Sequence, residues 1–367
     1  MTRKSFLFAS TLSLAAAAGA ALFAQPQQPQ PGVASPQQRP PAITSVTRRV
    51  IVPVTVKDEH GQLVGDLTRQ EFRIFADGVE QKIAGFSAEA VPLSAVVVLD
   101  NDLNERVAPQ VQKSLSTVAA GFGPNDEVAL VTYDEFPTTV ADFSFNNDAL
   151  FTTLKRLQIG SHDQRVNAGP TAPGGYGGAG PPPSNGAPIG SGPPPAASVQ
   201  LHGSGRYHKE SALTDAIFAA GAMLKDRGRD RRKIIFLVSD GTDTNHNDHS
   251  FDETLRSLLM SDVSVYSISV THSLPVGKSV VQRGLSNLEK YAVGTGGDTF
   301  YAGKQPELER LYSALTEQAR NEYTLTFSPE DVAKGKDYHP VEVRVERPGL
   351  SVETRQGYYE SGIAPGR

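Results

Sequence analysis

The sequence predicts an α/β fold: a doubly wound, mainly parallel sheet flanked by small β-rich segments at its N- and C-terminal sides. Between residues 93 and 319, short apolar runs alternate with stretches of helical periodicity. Several of those runs, V-V-V-L at 96–99 and I-I-F-L-V at 234–238 among them, are apolar at every position, as strands buried on both faces are. On either side of this region the pattern changes to strand-length runs broken by turn signals.

In chain order, residues 1–24 open with M-T-R-K and continue without a charge from Phe6 to Ala24. A basic start, an apolar middle and small residues near the end make an export signal. An uncleaved anchor is the alternative, because the apolar run is about the length that just spans a bilayer. Residues 25–44 are Pro/Gln-rich and read as a flexible linker. A small β-rich domain is expected at 45–90. There R-R-V-I-V-P-V-T-V-K at 48–57 is strand-like, T-R-Q-E at 68–71 has the form of a capping box, and Asp77-Gly78 signals a hairpin.

The central region, 93–319, is predicted to place strands at 95–99, 127–133, 139–143, 233–238 and 263–270, with a weaker sixth at 298–301. Helices are predicted at 106–120, 148–157, 212–225, 251–260, 284–293 and 306–319. A Gly/Pro-rich insertion at about 160–206 lacks the apolar content to fold by itself and is expected to be disordered, leaving the sheet intact. Strand pattern returns at 320–360 with Y-T-L-T-F, V-E-V-R-V-E, a turn at Pro348-Gly349 and L-S-V-E-T.

Composition narrows the function. A net charge of −5 without a Lys/Arg block argues against a nucleic-acid partner. The R-G-R-D-R-R-K run at 227–233 reads instead as a solvated connection into a strand. With no cysteine there is neither a disulfide framework nor thiolate chemistry, and no lipoprotein attachment site. The chain has no G-x-S-x-G elbow and no complete G-x-x-x-x-G-K-[S/T] phosphate loop. His246 and His249, in the polar loop 242–249, do not have the H-E-x-x-H spacing of a zinc protease, and that loop reads as solvated. Asp126, in G-P-N-D-E, is expected to close the turn into the second strand of the sheet. No enzyme is expected.

Open α/β sheets bind ligands beyond the carboxyl ends of their strands. Asp100 and Asp240 each stand directly after an apolar run, so one edge would gather them. With D-N-D-L-N at 100–104, E-S-A-L-T-D-A-I at 210–217 and F-L-V-S-D-G-T-D at 236–243, the chain resembles the von Willebrand factor A fold. Its metal-ion-dependent adhesion site has D-x-S-x-S after the first strand, a Thr in a later loop and an Asp after the fourth strand. Matched by position, Asp100 takes the first Asp, Asp102 and Asn104 replace the two serines, Ser211 takes the Thr place and Asp240 the last Asp. The phrase L-T-R-Q-E-F-R-I-F-A-D-G-V-E-Q-K-I-A-G-F at 67–86 and R-Q-G-Y-Y at 355–359 resemble the flanks of a bacterial VWFA-related family of acidobacterial type.

The resemblance implies a von Willebrand A / Rossmann-like sheet and a protein that binds another protein outside the cytoplasm, in the periplasm, the cell envelope or the medium. A membrane is implied only if the N-terminal segment stays uncleaved. It also implies a degenerate site in which Asp100, Asp102, Asn104, Ser211 and Asp240 hold Mg²⁺ or another divalent cation, Ca²⁺ or Mn²⁺. Asp102 in place of a serine adds a carboxylate, which raises cation affinity but cancels charge that would attract an acidic partner. Read on their own, Asp102 or Asn104 cap the helix that begins near Glu105. Two alternatives stand beside the adhesion-type reading. One is a metal-independent envelope scaffold. The other is a haloacid dehalogenase-like phosphatase, with Asp100 and Asp102 as D-x-D, Ser239 as second motif and Asp298 as a weak acidic one.

Overall fold

The computed structural model describes residues 49–160, 211–302 apart from 245 and 271–285, and 305–362 apart from 331 and 334. The expected signal, the linker and the insertion beyond Gly160 lie outside the described residues. In chain order the strands and helices run β1 (Val50–Lys57), β2 (Phe72–Ala76), β3 (Val79–Gln81), β4 (Ile83–Ser87), β5 (Leu93–Asp100), α1 (Ala108–Val118), β6 (Glu127–Tyr133), β7 (Pro137–Ser144) and α2 (Asn147–Arg156). They continue with α3 (Leu213–Leu224), β8 (Arg232–Ser239), α4 (Phe251–Met260), β9 (Val263–Ser269), α5 (Asn287–Thr295), β10 (Thr299–Tyr301) and α6 (Gln305–Arg320). The tail adds β11 (Tyr323–Phe327), β12 (Tyr338–Val345), β13 (Ser351–Thr354) and β14 (Gly357–Tyr359).

The central sheet has the order β10-β9-β8-β5-β6-β7. Neighbours are parallel except β7, which returns antiparallel to β6. From β5 the chain winds outward through β6 to β7, then restarts at β8 on the other side and winds outward again. The order therefore reverses between β5 and β8, the crevice where doubly wound sheets take ligands. All of β5 is buried, and its side chains alternate between two cores. Leu93, Ala95, Val97 and Leu99 meet Leu115 of α1, Leu154 of α2 and Tyr312 of α6. Val96 and Val98 meet Ile217 of α3, Leu258 of α4 and Tyr291 of α5. Each fully buried large apolar side chain contributes ~2 kcal/mol on this scale, so the two-sided sheet dominates the stability of this region.

Boundaries move where capping chemistry decides them. The helix expected at 284–293 starts instead at Asn287, because Ser286 and Glu289 form a capping box. The one expected at 106–120 starts at Ala108, with a proline in its first turn. Asp126 closes its turn as expected: it is buried, accepts from Leu93 N–H (2.7 Å) and Gly123 N–H (2.7 Å), and pairs with Arg320 (2.8 Å).

The β pieces on either side of the sheet share strands. One four-stranded sheet runs β13-β1-β11-β4 and the other β14-β12-β2-β3, so N-terminal and C-terminal strands are interleaved in both. Val52 and Val54 of β1, Phe72 and Ile74 of β2 and Leu325 of β11 fill the space between them. At the β2–β3 turn Asp77 (φ 50°) and Gly78 (φ 78°) are both left-handed, as a two-residue hairpin of this kind requires.

This sandwich packs under the N-terminal ends of the parallel strands. Arg355 pairs with Asp262, ahead of β9, at 2.8 Å. Arg232, opening β8, donates to Thr324 Oγ1 at 2.9 Å. Lys57 of β1 pairs with Asp298, ahead of β10, and with Glu353 of β13. The basic run at 227–233 is the expected connection into a strand, solvated at 228–230 but engaged at its end. Arg231 donates to the carbonyls of Leu93 and Asn125, and Lys233 to those of Lys225 and Ser261, because carbonyls at element ends need donors when covered. The C-terminal edge of the sheet stays uncovered by the sandwich.

Candidate functional site

That C-terminal edge carries the residues picked out from the sequence. Asp100 ends β5, and Asp240 follows β8 directly; the strands are neighbours in register, Leu99 against Val238. Asp100 is 1% exposed. Its Oδ1 accepts from the Asp102 N–H (2.9 Å) and its Oδ2 from the Ser239 hydroxyl (3.0 Å). The Ser239 proton is aimed there by what surrounds it: Ser239 Oγ accepts from the Tyr133 hydroxyl (2.7 Å) and from the Gly241 N–H (2.9 Å). Tyr133 is wholly buried, and burial together with the Asp100 charge pushes its pKa well above the usual phenol value, so it stays a donor. A buried chain Tyr133–Ser239–Asp100 thus holds the first carboxylate in one orientation.

On the second strand, Asp240 Oδ1 accepts from the Thr242 N–H (2.9 Å). The turn between them needs Gly241 at φ 78°, where a Cβ would also stand 3.2 Å from Leu288. Ser211 arrives beside this turn fully buried, its hydroxyl donating to Thr242 O (2.9 Å) and its carbonyl accepting from the Thr244 N–H (2.9 Å). Asn104 is committed differently. Its Oδ1 accepts from the Arg106 N–H (3.0 Å) and its backbone carbonyl from Val107 and Ala108, so it closes a turn ahead of α1; the N-cap expected of it falls instead at Val107, which makes no side-chain cap hydrogen bond. Asp102 lies partly buried between them, its N–H on Asp100.

Several residues at this edge escaped the sequence reading. The loop 242–249 is tied to the start of α3 rather than freely solvated. Asp243 accepts from Thr214 Oγ1 (2.6 Å), and Asp215 accepts from the N–H groups of Asp248 (2.9 Å) and His249 (3.0 Å). Thr214 also receives the Tyr291 hydroxyl (3.0 Å), and burial pushes that phenol up to about 12. The only sequence sign was an excess of Asp and Thr at a helix start, which ordinary capping explains as well. Asp134 and Glu135, with Phe136 at 70% exposure, stand on the β6–β7 turn beside Asp100. Asp298, by contrast, sits at the far edge with Lys57. The acidic motif of the phosphatase alternative is therefore not assembled with Asp100.

In donor type the five predicted ligands are all hard oxygens, which suits Mg²⁺ or Ca²⁺. As placed, Asn104 spends its oxygen on its own turn, and no three carboxylate or imidazole side chains among the described residues stand close enough together to hold an ion.

The strand order and the two layers of helices define a von Willebrand A-type fold, here carried on a β-sandwich. No protein-family model matches the chain, and no curated protein does. Among solved structures it is similar to a von Willebrand factor type A protein from Catenulispora acidiphila, with TM-score 0.42 and 11% identity over 88% of this chain and 78% of that one. It is similar as well to an aerotolerance-related membrane protein from Bacteroides fragilis, with TM-score 0.38 and 11% identity over 62% and 99%. A third is proximal thread matrix protein 1 of the mussel byssus, with TM-score 0.39 and 12% identity over 64% and 49%. At these scores the fold assignment rests on the strand order itself.

Proposed function

We propose that the protein is an exported recognition module that docks another protein at the edge carrying Asp100, Asp102, Ser211 and Asp240. Support comes chiefly from one observation: Asp100 and Asp240 end adjacent parallel strands where the strand order reverses. The uncharged stretch after M-T-R-K supports export. Asp100, Asp102, Ser211 and Asp240 would hold a divalent cation, which supplies a Lewis-acidic contact for a partner's oxygen ligand. Three carboxylates neutralise more of the ion's charge than two, so the edge favours a neutral or amide oxygen over a partner carboxylate. Phe136 offers an apolar contact at the rim.

Calorimetric titration with Mg²⁺, Mn²⁺ and Ca²⁺, together with capture from envelope extracts with and without EDTA, tests this function. Saturable cation binding that Asp240→Ala abolishes, with EDTA-sensitive capture, supports it. The Asn104 turn and the Ser211–Thr242 hydrogen bond favour a second reading, a metal-independent scaffold on the same edge. Capture unchanged by EDTA, with no cation heat, selects that one.

A further inference from the structure

A cavity of about 240 Å³ lies where the sandwich meets the N-terminal edge of the sheet, on the side away from the carboxylates. Ile51 and Pro53 of β1, Val91 and Val263 give it a predominantly apolar wall. An apolar cavity of about 150 Å³ holds benzene, so this one has room for a ring bearing a small substituent.

Lys233 borders the cavity with only 7% of its surface exposed. Its ammonium donates to the carbonyls of Lys225 (2.9 Å) and Ser261 (3.3 Å), at the ends of α3 and α4, and makes no ion pair among the described residues. Of the carboxylates near it, Asp262, which lines the cavity with Asp230, is taken by Arg355, and Asp226 forms no ion pair with it. Two carbonyls satisfy two of the three N–H groups, and the helix ends supply only partial negative charge. A buried lysine without a carboxylate is uncommon because its desolvation goes uncompensated. Burial holds its pKa below the ordinary lysine value; the Asp262 and Asp226 charges oppose this in part, and the positive charge of Arg229 adds to it. Arg229 also lines the cavity, is exposed, and has no hydrogen-bond or ion-pair partner among the described residues.

We propose that this cavity binds a small organic anion, a carboxylate on an aromatic or compact aliphatic body. The apolar body rests on Ile51, Pro53 and Val263, and the carboxylate serves as counter-ion to Lys233 and Arg229. Neither charge nor apolar body suffices alone.

Titrating the full chain with benzoate, benzyl alcohol and acetate separates the two contributions. Benzoate is expected to bind saturably, benzyl alcohol about tenfold more weakly or less, and acetate undetectably. Lys233→Met keeps the stem but removes the buried charge and the donor to the Lys225 and Ser261 carbonyls, so it is expected to weaken benzoate binding about tenfold or more while lowering the melting temperature by only a few degrees. Val91→Trp, which fills the wall from a partly buried position, is expected to give the same loss and serves if Lys233→Met does not fold. Absence of saturable benzoate binding by the natural protein, or benzoate binding that the folded variants leave unchanged, overturns the proposal.

Discussion

Glu322 offers the sharpest test of how the sandwich is fastened to the sheet. It lies between α6 and β11, 1% exposed, with its carboxylate 3.2 Å from Arg232. Among the described residues neither carboxylate oxygen finds a partner with hydrogen-bond geometry. Burial pushes its pKa up from 4.5 to about 7; Arg232 opposes this, and the Glu353 carboxylate adds to it. Between those two values the folded protein keeps a proton that the unfolded chain has lost. The associated stability is therefore fully present below 4.5 and is lost as pH rises through about 7. At ~1.4 kcal/mol per pH unit the loss is about 3 kcal/mol. Glu322→Gln keeps the volume and removes the titration. Urea unfolding of both proteins, from about pH 5 to about pH 8, is expected to show the variant gaining about 3 kcal/mol on the natural protein across the range. A stability difference that stays flat with pH would refute the assignment of the buried proton to Glu322.

Three further substitutions probe separate parts of the structure. Tyr133→Phe removes the donor that aims Ser239 at Asp100 and is expected to cost about 1 kcal/mol, read by urea unfolding; in a Ser239→Ala background most of that cost should vanish. Gly297→Ala would set a Cβ 2.0 Å from the Val265 carbonyl, so thermal unfolding is expected to show about 3 kcal/mol of destabilisation, whereas Gly65→Ala, which meets open space, stays within about 0.5 kcal/mol. Asp126→Ala strips the N–H groups of Leu93 and Gly123 of their acceptor and leaves Arg320 with only the Gly121 carbonyl, with an expected loss of about 3 kcal/mol in the same assay.

Much of the fold was legible because its signals are local. An apolar run such as 234–238 has to be buried on both faces wherever it lies, and Asp77-Gly78 needs two left-handed residues whatever the strands around it do. The ends of β5 and β8 were legible for the same reason, so Asp100 and Asp240 could be placed on one edge before any coordinates. Asn104 was not. Its match to a motif position is a statement about spacing, while its Oδ1 answers to the nearest free N–H, that of Arg106. Asp215 went unnoticed and Asp243 was read only as part of a solvated loop, because they act on Thr214, Asp248 and His249, and only the packing of α3 against that loop brings these together.

The sequence by itself determined the doubly wound sheet, most of its helices and the pair of aspartates at its edge, since periodicity and chain direction suffice for each. Tertiary structure alone decided that β1 lies between β11 and β13, that Lys233 is buried with its ammonium on two backbone carbonyls, and that the sandwich packs on the N-terminal end of the sheet. Those outcomes depend on partners such as Val52 and Leu325, far apart along the chain, whose pairing is selected by the shared burial of side chains and not by any pattern within either segment.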